Sequence, residues 1–472
     1  MTASRLRTRG VTALVVAAVT LGPLAACSGA SDDAAAPSGS VSTTPLNPFE
    51  QQRTDGVGAL LDELSAVVRS GDASGLDDLI DPAAPAAFRE QMTTMVSAFA
   101  ARGDRGDRGG PLRVASLSYR VAPTVGAEWQ MDPRVVAEVE ARGSSDTWVT
   151  PVELTYALGG AAAPGLDEPP VTLNSMMSFA RYDDDWKLVG DADIALDPRA
   201  VEDVPRGPVE TGPWAFPGVA AADVKTAGGL STVLSYPGTD TTVSRARRLL
   251  PGAVEAVDEF WGSDWPRRAA VVATGDDAEF AGLTRTATSE TTTAAAATVY
   301  SSIDRRAKQV LGQRIVLSPN ARDLSEPALS VILKHELLHV ATRLTTAENA
   351  PMWLTEGVPE YLGRKGTYRE FVDAAPDLAV EVAAGRVPKT LPADSAFAVD
   401  SDAARVAYQS AWSFAAFVAD EYGEPKLKDL YRKVSAGGDT DTVDAAVKSA
   451  VGADKKVLVE QWQKWLRAQV RG

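Results

Sequence analysis

The sequence predicts an α+β chain in two units, and three observations carry that expectation. Apolar residues at helical spacing over 54–80 and 86–102 are followed, up to 191, by runs that alternate in the β manner. Residues 196–218 are rich in proline and poor in periodic apolar positions, which marks a linker. Beyond it, short strand-like runs lead into EPALSVILKHELLHVATRL (326–344), a helical stretch uninterrupted by Pro or Gly after its first turn.

The chain opens with Arg5, Arg7 and Arg9 and then VTALVVAAVTLGPLAA, an apolar run too short, and too broken by Gly22 and Pro23, for a transmembrane span. Residues 1–26 are therefore expected to be a signal peptide. Leu24-Ala25-Ala26-Cys27 resembles the lipobox of bacterial lipoproteins, which implies cleavage before Cys27, lipidation of its thiol, and anchoring on the extracytoplasmic face of the cell membrane. Cys27 is the single cysteine, so neither a disulfide nor a thiolate ligand is available to the rest. Removing 1–26 deletes three arginines and no acid, taking the formal charge from −16 to −19 over the remaining 446 residues. That balance excludes nucleic acid as a partner and leaves membrane attachment to the lipid. Residues 27–48 lack aromatics and are rich in Ser, Ala, Asp and Pro; they read as a disordered tether spanning on the order of 25 Å.

In the first unit, 49–195, TDGVGALLDELSAVVRSGDASGLDDLI and AAFREQMTTMVSAFAAR are the helices; LRVASLSYRV, TWVTPVELTYAL and VTLNSMMSFARY are strands, and RYDDDWKLVGD turns into a last short one. This order resembles the NTF2-like cone, which implies a concave antiparallel sheet. With no histidine, the unit is expected to serve as a spacer or docking domain. GDRGDRGG at 103–110 reads as a solvated loop, not an adhesion motif.

The second unit, 219–472, begins with helical VSRARRLLPGAVEAVDEFWG and strand-like RAAVVATG. A Thr- and Ala-rich loop at 284–297 and strands TVYSSI and RIVLSP come before the long helix. Ser325 is its expected N-cap, with Glu326 and Pro327 in the first turn. Leu329, Leu333, Leu337, Val340 and Leu344 form an apolar stripe, so one face is expected to anchor the helix while Lys334 points to solvent.

Both histidines of the protein lie in this helix, at His335 and His339. Four residues apart, they sit on one face and can present two imidazole nitrogens to a single ion. Two histidines placed at random over the chain fall four apart about once in 240 placements, before any neighbouring carboxylate is required. Glu336 projects roughly 100° away, beside such an ion, where it can take a proton from water. A catalytic zinc needs a third protein ligand, and PMWLTEGVPEYL (351–362) supplies two rivals, Glu356 and Glu360. Pro359 between them removes an N–H and is expected to kink that helix.

HELLH followed by WLTEG resembles the gluzincin peptidases, in particular the peptidase MA-like domains of bacterial surface proteins. YQSAWSFAAFVADEYG (408–423) is similar to the family's helix after the ligand, and VDAAVKSAVGADKKVLVEQWQKWL to its closing helical pair, so the resemblance covers about 212–472. It implies a small sheet with a mainly helical C-terminal half and a strand bordering the cleft, either RIVLSP or TVYSSI. It also implies Zn2+ held by His335, His339 and Glu356, Glu336 as general base, and hydrolysis of a peptide or protein substrate. Tyr408, at the start of the 408–423 helix, is the candidate donor to the oxyanion, although a Tyr there also suits core packing. The competing expectation is a non-catalytic surface-binding lipoprotein with a structural metal site. Neither substrate identity nor oligomeric state is written in the sequence.

Overall fold

A five-stranded mixed sheet covered on both faces organises the chain. The computed structural model describes residues 48–101, 108–123, 129–160, 166, 168–191, 211–285, 294–397 and 402–471. The signal peptide, Cys27, nearly all of the tether, most of the 103–110 loop and the linker as far as 210 lie outside the described residues.

The first unit runs α1 (Pro48–Ser70), α2 (Leu76–Leu79), α3 (Ala86–Phe99), β1 (Val114–Val121), α4 (Pro133–Ala141), β2 (Asp146–Leu158), β3 (Val171–Tyr182) and β4 (Asp185–Asp191). Its strands form an antiparallel meander in the order β1-β2-β3-β4. One face packs against α1 and α3 through Leu61, Leu64, Met95, Tyr119, Phe179 and Leu188. Periodicity does not announce α4, which lies on the opposite face with Val139 against Val149, Met176 and Val189. It is started instead by Asp132, whose side chain accepts the Arg134 N–H, and by Pro133.

The second unit contains β5 (Ala220–Thr226), β6 (Gly229–Ser235), α5 (Asp240–Trp261), β7 (Ala270–Ala273), α6 (Asp277–Thr284), β8 (Ala296–Val299), β9 (Ser302–Asp304), β10 (Gln309–Leu311), β11 (Arg314–Leu317) and α7 (Glu326–Thr342). The chain continues through α8 (Met352–Thr355), α9 (Gly357–Arg364), α10 (Phe371–Ala374), α11 (Pro376–Ala383), α12 (Asp402–Tyr422), α13 (Glu424–Val434), α14 (Thr440–Val451) and α15 (Lys455–Gln469). The fold is thus α+β with a helical C-terminal half. The sheet order is β5-β6-β7-β11-β8, with β7 parallel to both neighbours and the outer pairs antiparallel. Of the two strands expected at the cleft, RIVLSP is β11, enclosed by β7 and β8, while TVYSSI begins in β8, one of the two edge strands among the described residues.

Alternation along each strand explains why the central ones read as continuous apolar runs. Val271 and Ala273 of β7, Ile315 and Leu317 of β11, and Ala296 of β8 enter the core shared with the C-terminal helices. Ala270, Val272, Val316, Ala297 and Val299 enter a second core, which is that of the first unit. The described end of the expected linker is packed between the units: Trp214 is buried, with its ring edge-on to Tyr156 at 4.7 Å and tilted against Phe99 at 5.9 Å. On the same side of the sheet, buried Arg314 donates to Tyr156 Oη at 2.9 Å and pairs with Glu168 at 3.3 Å.

The end of the Gly/Arg/Asp loop is likewise packed and not solvated. Arg108 is buried and donates to the Gly218 and Ser235 carbonyls. Gly110 exchanges two backbone hydrogen bonds with Ala221, at 2.9 and 3.0 Å. At Gly109, with φ +125°, a Cβ would stand 2.2 Å from the Ala221 oxygen, so only glycine fits.

Because one core serves both units, Trp214→Ala is expected to cost about 3–5 kcal/mol and to lower the stability of both units together. Urea unfolding followed by tryptophan fluorescence and far-UV circular dichroism checks this; two separated transitions, with only the first one shifted, would contradict the shared core.

Candidate metal centre

The helix that carries the two histidines begins as its sequence dictates. Ser325 accepts the Ala328 N–H at 3.3 Å, and Glu326 and Pro327 occupy the first turn. Its surroundings differ from the expected half-exposed helix. From Ala328 to Thr342 only Ser330 and Lys334 are not fully buried, because the sheet, α5 and α9 enclose α7. A Cβ on Gly363 of α9 would meet the Val331 carbonyl oxygen at 2.7 Å, which measures how closely α9 lies. Lys334 is half-buried, and burial, followed by Lys365, pulls its ammonium below the usual lysine range.

Pro359 shapes the second ligand segment. With no N–H to give the Thr355 carbonyl, the helix is interrupted at Glu356, between α8 and α9, and Pro359 falls in the first turn of the new helix. The expected kink is therefore a break located at Glu356 itself. Gly357 then packs against α12, where a Cβ would stand 2.5 Å from the Ala411 oxygen.

These two segments bring His335, His339 and Glu356 together, with one ligand atom from each lying within 4.8 Å of the others. The two Nε2 atoms are 3.0 Å apart, and Glu356 Oε2 is 3.4 Å from that of His335 and 3.7 Å from that of His339. A tetrahedral metal with bonds near 2.0–2.1 Å separates its ligand atoms by roughly 3.3 Å. All three side chains are buried, and both Glu356 oxygens lack a hydrogen-bond partner among the described residues. Such orphaned acceptors are costly unless a cation answers them. The donor set among the described residues, two imidazoles and one carboxylate, fits a divalent metal of the zinc type.

Glu360 occupies a different place from Glu356. It is fully buried, its Oε2 takes the Arg364 Nε–H, and its Oε1 faces the far nitrogen of His335, Nδ1, at 3.5 Å. Arg364 in turn donates to the Ala374 carbonyl and lies over the Trp412 ring. A carboxylate behind a ligating imidazole fixes the orientation of that ring.

The charges are strongly coupled. Burial opposes protonation of His335, but contact with Glu356 and the charges of Glu360 and Glu336 outweigh it and push the imidazole up to about 9. Burial would raise the Glu356 carboxyl, but His339 and His335 outweigh it and bring the group down to about 2. In the metal-free protein at neutral pH, His335 therefore carries a proton that a metal must displace.

Glu336 is fully buried and belongs to no ligand set; Thr298 of β8 donates to its Oε2 at 2.6 Å. Sequence reasoning overlooks Thr298, 38 residues away, because a Thr in a strand-like run carries no distinguishing signal. Tyr408 lies in α12, buried, its ring edge-on to Phe397 at 5.0 Å. Burial and then Glu356, Glu360 and Glu336 push its phenol well above the ordinary range, so the tyrosine feels all three carboxylates.

Residues 321–468 match the Peptidase MA superfamily. The match covers the part of the chain that carries His335, His339 and Glu356. Among solved structures the chain is similar to the M1 zinc metallopeptidase from Deinococcus radiodurans, at 12% identity over 75% of this chain and 73% of that one, with a TM-score of 0.31. A mutant of the enzyme from that organism gives 13% identity, 75% and 74% coverage and a TM-score of 0.33. Comparison with curated proteins gives no match.

Glu356→Ala is expected to abolish stoichiometric zinc binding. Glu360→Gln is expected to keep one zinc per chain but weaken affinity about 10- to 100-fold. Metal analysis and chelator competition separate the two, and the reverse pattern would make Glu360 the ligand.

Proposed function

We propose that this protein is a lipid-anchored, extracytoplasmic zinc metallopeptidase that hydrolyses peptide bonds. The observation that carries the proposal is a buried carboxylate, Glu336, standing beside the His335, His339 and Glu356 cluster without belonging to it. A structural site has no use for such a group and usually fills all four positions with protein ligands.

Zinc in the cluster supplies Lewis-acid chemistry, acidifying a water and polarising a carbonyl. His335 and His339 offer it Nε2, and Glu356 offers an ionised oxygen already held low by the imidazoles. Glu336 takes the proton as the water oxygen adds to the scissile carbon, then delivers it to the amide nitrogen as the C–N bond breaks. Tyr408, kept protonated by its surroundings, is the proposed donor to the oxyanion that develops on the carbonyl oxygen. An extended substrate is proposed to pair through its backbone with β8, the edge strand next to the active helix.

Glu336→Gln preserves shape while removing the proton acceptor. The variant should keep its zinc and melting temperature and lose about 10²- to 10⁴-fold in kcat. Zinc content, thermal unfolding and peptide cleavage are measured on the same preparations; retained cleavage would refute the assignment. If the unaltered zinc-loaded protein cleaves nothing across a broad peptide library, the non-catalytic binding lipoprotein is the better account.

The anchor rests on Leu24-Ala25-Ala26-Cys27 after a short apolar run. Among the described residues no helix is long and apolar enough to cross a membrane. Cys27→Ser is expected to leave the protein unlipidated and to move it from the membrane fraction to the soluble one; unchanged partitioning would count against the lipid anchor.

A further inference from the structure

On the helix-facing side of the five-stranded sheet, a side chain of β8 breaks the apolar pattern of its neighbours. The neighbouring positions are Ala296, Ile315, Leu317, Val271 and Ala273, all in the core shared with the C-terminal helices. Thr298, on the same side of β8 as Ala296, places a fully buried hydroxyl among them. A buried hydroxyl costs free energy unless it is hydrogen-bonded, and at this position valine would fill the same space. The hydroxyl has two acceptors within reach, Glu336 Oε2 at 2.6 Å and the Glu336 backbone carbonyl at 3.3 Å. Its single proton goes to the nearer, charged one. The other carboxylate oxygen, Oε1, is buried and has no hydrogen-bond partner among the described residues.

We propose that Thr298 is a positioning residue for the base, holding Oε2 of Glu336 so that Oε1 alone is presented for proton transfer. The inference rests on the peptidase reading of this site. A glutamate has three rotatable side-chain bonds, and α7 holds only its backbone. The hydroxyl, fixed by β8 in its register with β11 (Thr298 opposite Ile315), supplies the second point that sets the carboxylate's direction. The Thr298 hydroxyl thus ties the sheet to the side chain of Glu336, and the sheet aims the base.

The test compares Thr298→Val, which keeps the shape and loses the donor, with Thr298→Ser, which keeps the donor; should the Val variant fold poorly, Thr298→Ala replaces it. A misdirected base is expected to lower kcat about 10- to 100-fold, with KM within about threefold and zinc content unchanged. Ser should recover most of the rate. A second readout is independent of turnover. A small hydroxamate that chelates the zinc also donates its hydroxyl proton to the neighbouring carboxylate, so calorimetry should show its affinity falling about tenfold in the Val variant and returning in the Ser variant. Unchanged kcat and unchanged hydroxamate affinity in the Val variant would overturn the proposal. If the unaltered protein cleaves no peptide, the peptidase reading fails and the hydroxamate titration alone decides the role of Thr298: weakening that Ser reverses supports it, and equal affinities refute it.

Discussion

Five ionisable side chains, His335, Glu336, His339, Glu356 and Glu360, are shut away from water where α7 meets the α8–α9 junction. Moving a charge out of water costs several kcal/mol per ion even after the protein relaxes, so the cluster persists only if its charges answer one another. Glu360 is answered by Arg364, itself held by the Ala374 carbonyl and the Trp412 ring. Two further carboxylates remain, and a divalent cation balances them formally. Without the cation, a proton on His335 does part of that work, which is why the carboxylates push this imidazole so far up. The centre is therefore a property of the buried cluster as a whole more than of any single ligand.

The packing that buries this cluster comes from both ends of the chain. On the helical side, Leu329, Ile332, Leu333 and Leu337 join one continuous core with α5, α12 and α15, in which Trp462 is fully buried and donates to Ser413. On the other side, the first unit closes the back of the sheet, and Trp214, Arg314 and Glu168 knit the two together. Four-residue strands such as AVVA and RIVL are short and buried on both faces, and would leave one face wet without that cover. The first unit is thus a structural part of the sheet that borders the metal centre, and a purely separate spacer would not share its core.

Local signals carried much of this into view. Ser325, Glu326 and Pro327 announce the start of α7 because capping and first-turn preferences act over a few residues. The strands of the first unit are readable because alternation is also local. The burial of α7 on nearly every side was not readable from its apolar stripe, because periodicity reports which face is most apolar and not how many neighbours an element acquires. The same limit applies to α4, begun by a cap, and to residues 211–218, whose prolines suggest a free linker while Trp214 anchors them.

The sequence by itself determined the spacing of His335 and His339, the position of Glu336 off their shared face, and the exhaustion of both histidines at one place. These follow from helix geometry, which needs no partner. Only the tertiary structure decided which oxygens face the two Nε2 atoms. Glu356 and Glu360 are one helical turn apart, equally buried and chemically alike, and what separates them is the helix break before Pro359 together with the capture of Glu360 by Arg364. Only the tertiary structure brings Thr298 to Glu336, because that contact joins an outer strand to a central helix across a sheet register. Contacts of that kind are set by how whole elements pack, and no local period of the chain encodes them.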